Sequence, residues 1–455
     1  MIRFRRICSY LVVLILTYPC GVGRAQGLST ALPQSQFETI GLYAWEPAEE
    51  EHYLFWKACG YNFLQFIDRG LWLEPSEREA SYERLVKGID DAHRHGFKVG
   101  VILKSNVLPY PHDWWETFDP RDEGQMKARL SAIEEVIKRC RKADVLTFFG
   151  GDPGGVPDSL GAYGIALWKD MAKKVHQMVR KHAPKAEFNV NIWAITHWDY
   201  IRFNPWATYF WDREVHYGRN IVNDAAFLDT ATGLELPMHS YYRSLAFKAY
   251  DDVGRKPVPF PVKDDIGTMN NRGIERIWGW AHFLIDEVDD GYTGYSETKV
   301  HPTQAETRYI HRLIQDARNM GLNGMVSNCG GPNSSVEAMN VYAFARLCQQ
   351  DGLTPGQVID EYASYLAQDD HSRETLGQVI RFIENNSTWE QSIPAGFRVA
   401  ALDCRFKTAE EALTALATIR PGASGLHFPL LEQPTAYVKR LEERLRDIIY
   451  HHRIE

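Results

Sequence analysis

The sequence predicts an α/β fold, a (β/α)8 barrel (TIM barrel) with a helical C-terminal extension, on three observations. Short apolar runs alternate with longer amphipathic stretches between residues 40 and 328. About eight such units in about 300 residues suit a closed barrel built from right-handed parallel crossovers. No G-x-G-x-x-G opens the first unit, which disfavours an open doubly wound sheet. From Ser334 onward the pattern is helical, and no convincing strand follows.

Each element has a local reason. Ile40–Trp45 reads as a first strand ending at Glu46-Pro47, and Tyr61–Ile67 as a second ending at Asp68-Arg69-Gly70. Ser76 with Glu79 forms a capping box for a helix running to about His95. Gly96-Phe97 turns into a third strand, Val99–Leu103. Asp119-Pro120 starts a helix whose Leu130, Ile133, Val136, Ile137 and Cys140 share one face. The fourth strand, Val145–Phe149, ends at Gly150-Gly151-Asp152-Pro153-Gly154-Gly155. A helix from about Ala162 to His182 leads to a fifth strand, Phe188–Ile195. Leu234–Tyr242 holds the sixth strand and Ile274–Trp280 the seventh. Pro302-Thr303 with Glu306 caps a helix to about Met320, and Gly324–Asn328 is the eighth strand. Ser334 with Glu337, and Thr354-Pro355 with Gln357, cap the next helices, and the last runs from about Thr435 to His451. The expected organisation is a leader over residues 1–25, a barrel over 37–333 and a helical region over 334–455.

The leader reads as a secretory signal. Arg3, Arg5 and Arg6 give a basic start, Leu11–Leu16 an apolar core, and Gly23-Arg24-Ala25 a cleavage site. The apolar stretch is too short to span a bilayer, and no later stretch is long and apolar enough, so no stable membrane insertion is expected. Cys20 invites a lipoprotein reading, but bulky Tyr18 and rigid Pro19 precede it where small residues are wanted. The expected product is therefore released, to the periplasm or beyond. Loss of the four leader arginines takes the net charge from −8 to −12. That disfavours nucleic acid as a partner, since phosphate neutralisation needs basic surface. Cys59, Cys140, Cys329, Cys348 and Cys404 are odd in number, widely spaced and free of C-x-x-C pairing. Neither a disulfide framework nor a zinc site is expected, while a single bridge stays open in an oxidising compartment.

Catalytic groups of such barrels sit at the C-terminal ends of strands. Asp152, bracketed by glycines at the end of the fourth strand, is the first candidate; the alternative is a loop acid satisfied by its own backbone. Asp286 and Glu287 follow the seventh strand near Trp278, Trp280 and Phe283, surroundings that would raise a carboxyl pKa toward that of a general acid; the alternative is a solvated loop or helix end. Asp199 beside Trp198, and Asp212 and Glu214 beside Trp211, mix aromatic faces with polar tips as a sugar subsite does; each equally suits a surface salt bridge. Glu46, Asp68 and Asn328 end strands and are candidates to bind hydroxyls, against a structural role at the rim. Trp193, Trp198, Trp211 and Trp280 are candidate sugar platforms. His197 and His282 form no metal-ligand spacing, so no metal or other cofactor is expected. Neither a G-x-S-x-G elbow nor a P-loop occurs.

Two stretches carry a resemblance. Phe149-Gly150-Gly151-Asp152 resembles the G-G-D-E strand end of the family 20 β-hexosaminidases. The resemblance implies that Asp152 orients a substrate acetamido group; the general acid that follows in that family is replaced here by Pro153. Glu337–Leu347, with Leu353-Thr354-Pro355 and Ile359–Tyr362, resembles the helical region behind the barrel in family 67 α-glucuronidases. Together they imply a glycoside-hydrolase-like barrel acting on a carbohydrate. The expected chemistry is paired-carboxylate acid/base cleavage by Asp152 and Glu287 or Asp286. A non-catalytic carbohydrate-binding barrel and a polysaccharide lyase are the rivals.

Overall fold

Eight strands hydrogen-bond in sequence order, all parallel, and close with β8 against β1. The computed structural model describes residues 37–70, 73–106, 119–151, 154–193, 195, 218–224, 227, 232–238, 263–274, 276–281, 307–328, 338–386, 399–422 and 428–452. The strands are β1 (Thr39–Trp45), β2 (Phe63–Ile67), β3 (Lys98–Lys104), β4 (Val145–Phe149), β5 (Glu187–Asn191), β6 (Thr232–Pro237), β7 (Ile277–Ala281) and β8 (Gly324–Asn328). The predicted barrel is therefore the observed one. The fifth strand stops at Asn191 and the sixth at Pro237, both earlier than expected, and the sixth ends where its proline cannot donate to the ladder.

A two-residue alternation sets the two faces of the wall. Leu42, Leu64, Val101, Leu146, Val190 and Leu234 join the apolar core shared with the surrounding helices. Their neighbours Tyr43, Gln65, Ile102, Thr147, Asn191 and Glu235 are buried on the opposite face, inside the barrel. Low in the barrel, Phe63 and Trp278 meet edge to face at 5.0 Å between ring centroids. Gly41, Gly100 and Gly324 make room for them, since a Cβ at any of the three would run into one of these two rings.

The helices cover the wall with one apolar stripe each. They are α1 (Glu50–Cys59), α2 (Pro75–Arg94), α3 (Glu123–Arg139), α4 (Gly161–His182), α5 (Lys263–Asn270) and α6 (Thr307–Met320). In α4, Ile165, Trp168, Met171, Ala172, Val175 and Val179 repeat at helical spacing and are buried. Each such aliphatic side chain contributes roughly 1.5–3 kcal/mol by leaving water. Two expected starts are corrected. Pro75 opens α2, which puts Ser76 inside the first turn, and the N-cap Glu74 makes no side-chain cap bond. Asp122, not Asp119, caps α3, accepting from the N–H groups of Gly124 and Gln125. The caps expected at Thr303 and Ser334 lie outside the described residues.

Behind the barrel come α7 (Ala338–Gln349), α8 (Pro355–Leu366), α9 (Asp370–Asn385), α10 (Ala409–Leu416) and α11 (Pro434–His452). The capping box of Thr354 and Gln357 is present. Polar contacts tie this region to the end of α1 and the connection into β2: Tyr61 Oη donates to the Val341 carbonyl at 2.8 Å, and Gln349 Nε2 donates to the Cys59 carbonyl at 2.6 Å. Cys59, Cys140, Cys348 and Cys404 are free thiols. Among the described residues, no helix is long and apolar enough to cross a membrane, and no group of His, Cys, Asp or Glu is arranged to hold a metal ion.

Candidate active site

Barrel lumens are ordinarily filled by layers of branched aliphatic side chains. Here the middle layer is polar. Glu235 of β6 is fully buried and accepts hydrogen bonds from Thr147 Oγ1 at 2.7 Å, Gln65 Nε2 at 3.0 and 3.1 Å, Asn189 Nδ2 at 3.0 Å and Asn191 Nδ2 at 3.1 Å. Gln65 Nε2 also reaches Thr147 Oγ1 at 3.2 Å. Gln65, Thr147 and Glu235 come from alternate strands, while Asn189 and Asn191 reach the same carboxylate from two levels of β5. No ion pair to Glu235 occurs among the described residues. A neutral cage of donors holds a buried carboxylate that would otherwise be expensive to desolvate.

This cage is anchored from outside. Arg276 Nε donates to Asn189 Oδ1 at 2.7 Å and Arg276 Nη2 to the Phe188 carbonyl at 3.0 Å, which locks the Asn189 amide one way round. Burial lowers the Arg276 pKa, opposed by the charges of Glu187 and Glu235. The Gln65 Oε1 acceptor is buried and finds no partner among the described residues. Sequence reading missed Glu235. Its signal was present: in Thr232-Gly233-Leu234-Glu235-Leu236-Pro237 the two leucines face the helices, so the glutamate between them must face the lumen.

Above this layer the wall is aromatic. Tyr43 and Phe149 pack on Trp280 with ring centroids at 5.5 and 5.6 Å. Trp280 and Trp193, both expected to be sugar platforms, are 1% and 2% exposed, so each ring is largely enclosed. Trp193 N–H donates to Asn191 Oδ1 at 3.0 Å. At the end of β1, Trp45 is a non-glycine residue at φ 61°, beside a register shift between Tyr43 and Trp45. Such strain persists only where packing overdetermines it, and it gathers at functional sites.

The turn after β4 is held from both sides. Gly151 sits at φ 75° and its carbonyl accepts from Asn106 Nδ2 at 3.2 Å and from Gly154 N–H at 2.5 Å. Ser105 N–H donates to the Phe149 carbonyl at 2.9 Å, and Val156 N–H to the Ile195 carbonyl at 2.9 Å. The ends of β3 and of the segment after β5 thus clamp the two flanks of residues 152–153. Lys104, Ser105 and Asn106, all buried, bring further polar groups to the same rim.

The nominated residues divide. Asp152, Asp286, Glu287, Trp198, Asp199, Trp211, Asp212, Glu214, His197 and His282 lie outside the described residues. Asn328 closes β8 in register with Tyr43. Glu46 is half exposed at the rim, 3.6 Å from Arg69 Nη1. Asp68 sits in the layer between barrel and helices: its Oδ1 accepts from Gly70 N–H at 2.9 Å, and its charge acts on Tyr82, Arg129 and Cys140. Burial raises the Asp68 pKa, the Gly70 hydrogen bond and Arg129 opposing it. Arg129 itself is buried and donates Nη2 to the Lys104 carbonyl, and its Nε and Nη1 find no acceptor among the described residues. Burial pushes its pKa down to about 10. These contacts favour the rim-structural reading of Asp68 over hydroxyl binding.

No model of a protein family matches this chain, and no curated protein does. Solved structures do. A mutant O-GlcNAc hydrolase of Thermobaculum terrenum superposes with a TM-score of 0.49 at 11% identity, over 90% of this chain and 84% of that one. A glycoside hydrolase family 138 enzyme targeting pectin rhamnogalacturonan II gives 0.48 at 9% identity, over 91% and 70%. A Bacteroides ovatus family 5 xyloglucanase, in complex with a XXXG heptasaccharide, gives 0.40 at 11% identity, over 67% and 69%. At such identities and TM-scores the likeness says nothing of family or activity, and the barrel itself rests on its own strand order.

Proposed function

We propose that this protein is an exported glycoside hydrolase that cleaves a glycosidic bond in an oligosaccharide or polysaccharide. Asp152 and a second acid, Glu287 or its neighbour Asp286, flank the scissile bond in this reading. One protonates the leaving oxygen, and the other acts as base or stabilises the oxocarbenium-like transition state. Trp198, Asp199, Trp211 and Asp212 complete the substrate site, and a substrate bearing an acetamido group would have it oriented by Asp152.

The observation that carries the reading is the polar lumen. A barrel built only for stability has no reason to bury Glu235 among Gln65, Thr147, Asn189 and Asn191 where aliphatic residues would pack. Thr147 of that network lies on β4, the strand whose end leads into the clamped turn, where residue 152 follows Gly151 by one peptide bond. Glu235 is not assigned the acid or base role, because it is fully buried and both its oxygens already accept hydrogen bonds.

The test is turnover of a panel of aryl glycosides and glycan fragments by the purified protein. Asp152→Asn is expected to abolish turnover while retaining glycan binding. Binding without turnover by the unmodified protein would identify a non-catalytic carbohydrate-binding barrel. An unsaturated, ultraviolet-absorbing product would identify a lyase.

A further inference from the structure

We propose that Glu235 is a positioning residue: through the Asn191 amide it holds the Trp193 backbone in place just past the end of β5. The link has two hydrogen bonds. Asn191 Nδ2 donates to Glu235 Oε2 at 3.1 Å, which turns Asn191 Oδ1 toward Trp193 N–H, 3.0 Å away. An asparagine amide can sit either way round, and only its partners decide which end faces where. Here the carboxylate decides, because it accepts and cannot donate.

The geometry makes this role specific to a carboxylate. Glu235 Oε1 accepts from Thr147, Gln65 and Asn189, and Asn189 cannot turn over because Arg276 holds its Oδ1. An amide at position 235 must therefore keep its oxygen toward Asn189 and present its NH2 to Asn191. Two donors then face each other until the Asn191 amide rotates. Once rotated, Asn191 offers its own NH2 to Trp193 N–H, and the anchor is lost. Glu235→Gln is thus nearly isosteric, yet it breaks a contact two residues away on the neighbouring strand. The double variant Glu235→Gln/Asn191→Asp repairs it: one aspartate oxygen accepts from the new amide and the other from Trp193 N–H. The chain beyond Trp193 includes Trp198 and Asp199. The consequence for turnover rests on the hydrolase reading above, but the anchor itself does not.

The experiment measures hydrogen–deuterium exchange at the Trp193 amide, by mass spectrometry with residue-level fragmentation, alongside steady-state kinetics on whichever glycoside the unmodified protein turns over. In Glu235→Gln, exchange at Trp193 is expected to rise about tenfold, as for loss of one hydrogen bond, with β2, β3 and β4 amides still protected. kcat/KM is expected to fall, because Trp198 and Asp199 belong to the substrate site in the reading above, and the double variant is expected to restore both readouts. Thr147→Val, which removes a donor to the same carboxylate without touching Asn191, is expected to leave Trp193 exchange alone. Should Glu235→Gln fail to fold, Asn191→Ala removes the acceptor directly and must raise the same exchange. Unchanged Trp193 exchange in the folded variant overturns the proposal whatever happens to activity. Raised exchange with unchanged kcat/KM overturns the consequence for turnover. Raised exchange, restored in the double variant of a protein that cleaves no glycoside, upholds the anchor and sinks the hydrolase reading.

Discussion

Glu384 makes the stability of this fold depend on pH in a direction opposite to that of most carboxylates. It lies on α9, is 1% exposed, and accepts from Thr307 N–H at 3.1 Å and from Thr307 Oγ1 at 2.7 Å, at the first residue of α6. Arg308 Nη2 donates to the Glu384 carbonyl at 2.7 Å. Burial raises the Glu384 pKa from an ordinary 4.5 to about 7, with Thr307 and Arg308 opposing the shift. Between those values the folded protein holds a proton that the unfolded chain has released. Stability therefore falls as pH rises through this window, and the contribution is fully lost only above the folded pKa. At 1.36 kcal/mol per unit the full effect is on the order of 3 kcal/mol, of which about 2.5 kcal/mol falls between about pH 5 and about pH 8. Glu384→Gln mimics the protonated carboxyl, since its oxygen can accept from Thr307 N–H while its NH2 donates to Thr307 Oγ1. Urea unfolding of both proteins at one-unit steps across that range cancels every other titration. The unmodified protein is expected to lose stability relative to the variant as pH rises. A flat difference, or a gain on raising pH, would refute the reasoning.

Four further outcomes are expected. Asp68→Asn leaves the buried Arg129 charge less compensated and should cost about 1–3 kcal/mol in chemical denaturation while leaving KM unchanged; a raised KM with full stability would return Asp68 to the substrate site. Gly151→Ala places a Cβ 2.6 Å from Lys104 Cε at φ 75°, and should lower stability by about 1–2 kcal/mol, read as a drop in Tm. Trp168→Ala empties a fully buried site against Phe148 and removes the Nε1 hydrogen bond to Ser105 Oγ; a loss of about 3–5 kcal/mol is expected by urea titration. Thr354→Ala deletes the capping box of α8 and should cost about 1 kcal/mol, seen as a small shift in midpoint with unchanged denaturant slope.

Strand and helix periods are local properties, and the sequence alone determined them. Leu146 and Phe148 alternating with Thr147, or Ile165, Trp168, Met171 and Val175 at helical spacing, assign an element and its buried face without reference to anything distant. The barrel followed from their order, because short parallel crossovers leave few ways to bury every apolar face. Element ends were less legible. The start of α3 moved from Asp119 to Asp122, since both residues are competent caps and only the packed helix selects between them. What tertiary structure alone decided was which polar residues meet. Glu235 and Gln65 are 170 positions apart and Asn189 and Arg276 are 87 apart, so no window of sequence contains either pair. Barrel closure brings them into contact, and burial then makes each unmade hydrogen bond costly enough to fix the whole set. The same closure turned Asp68 out toward Arg129 and Tyr82, because a strand's faces alternate and the residue after Ile67 belongs to the outer one.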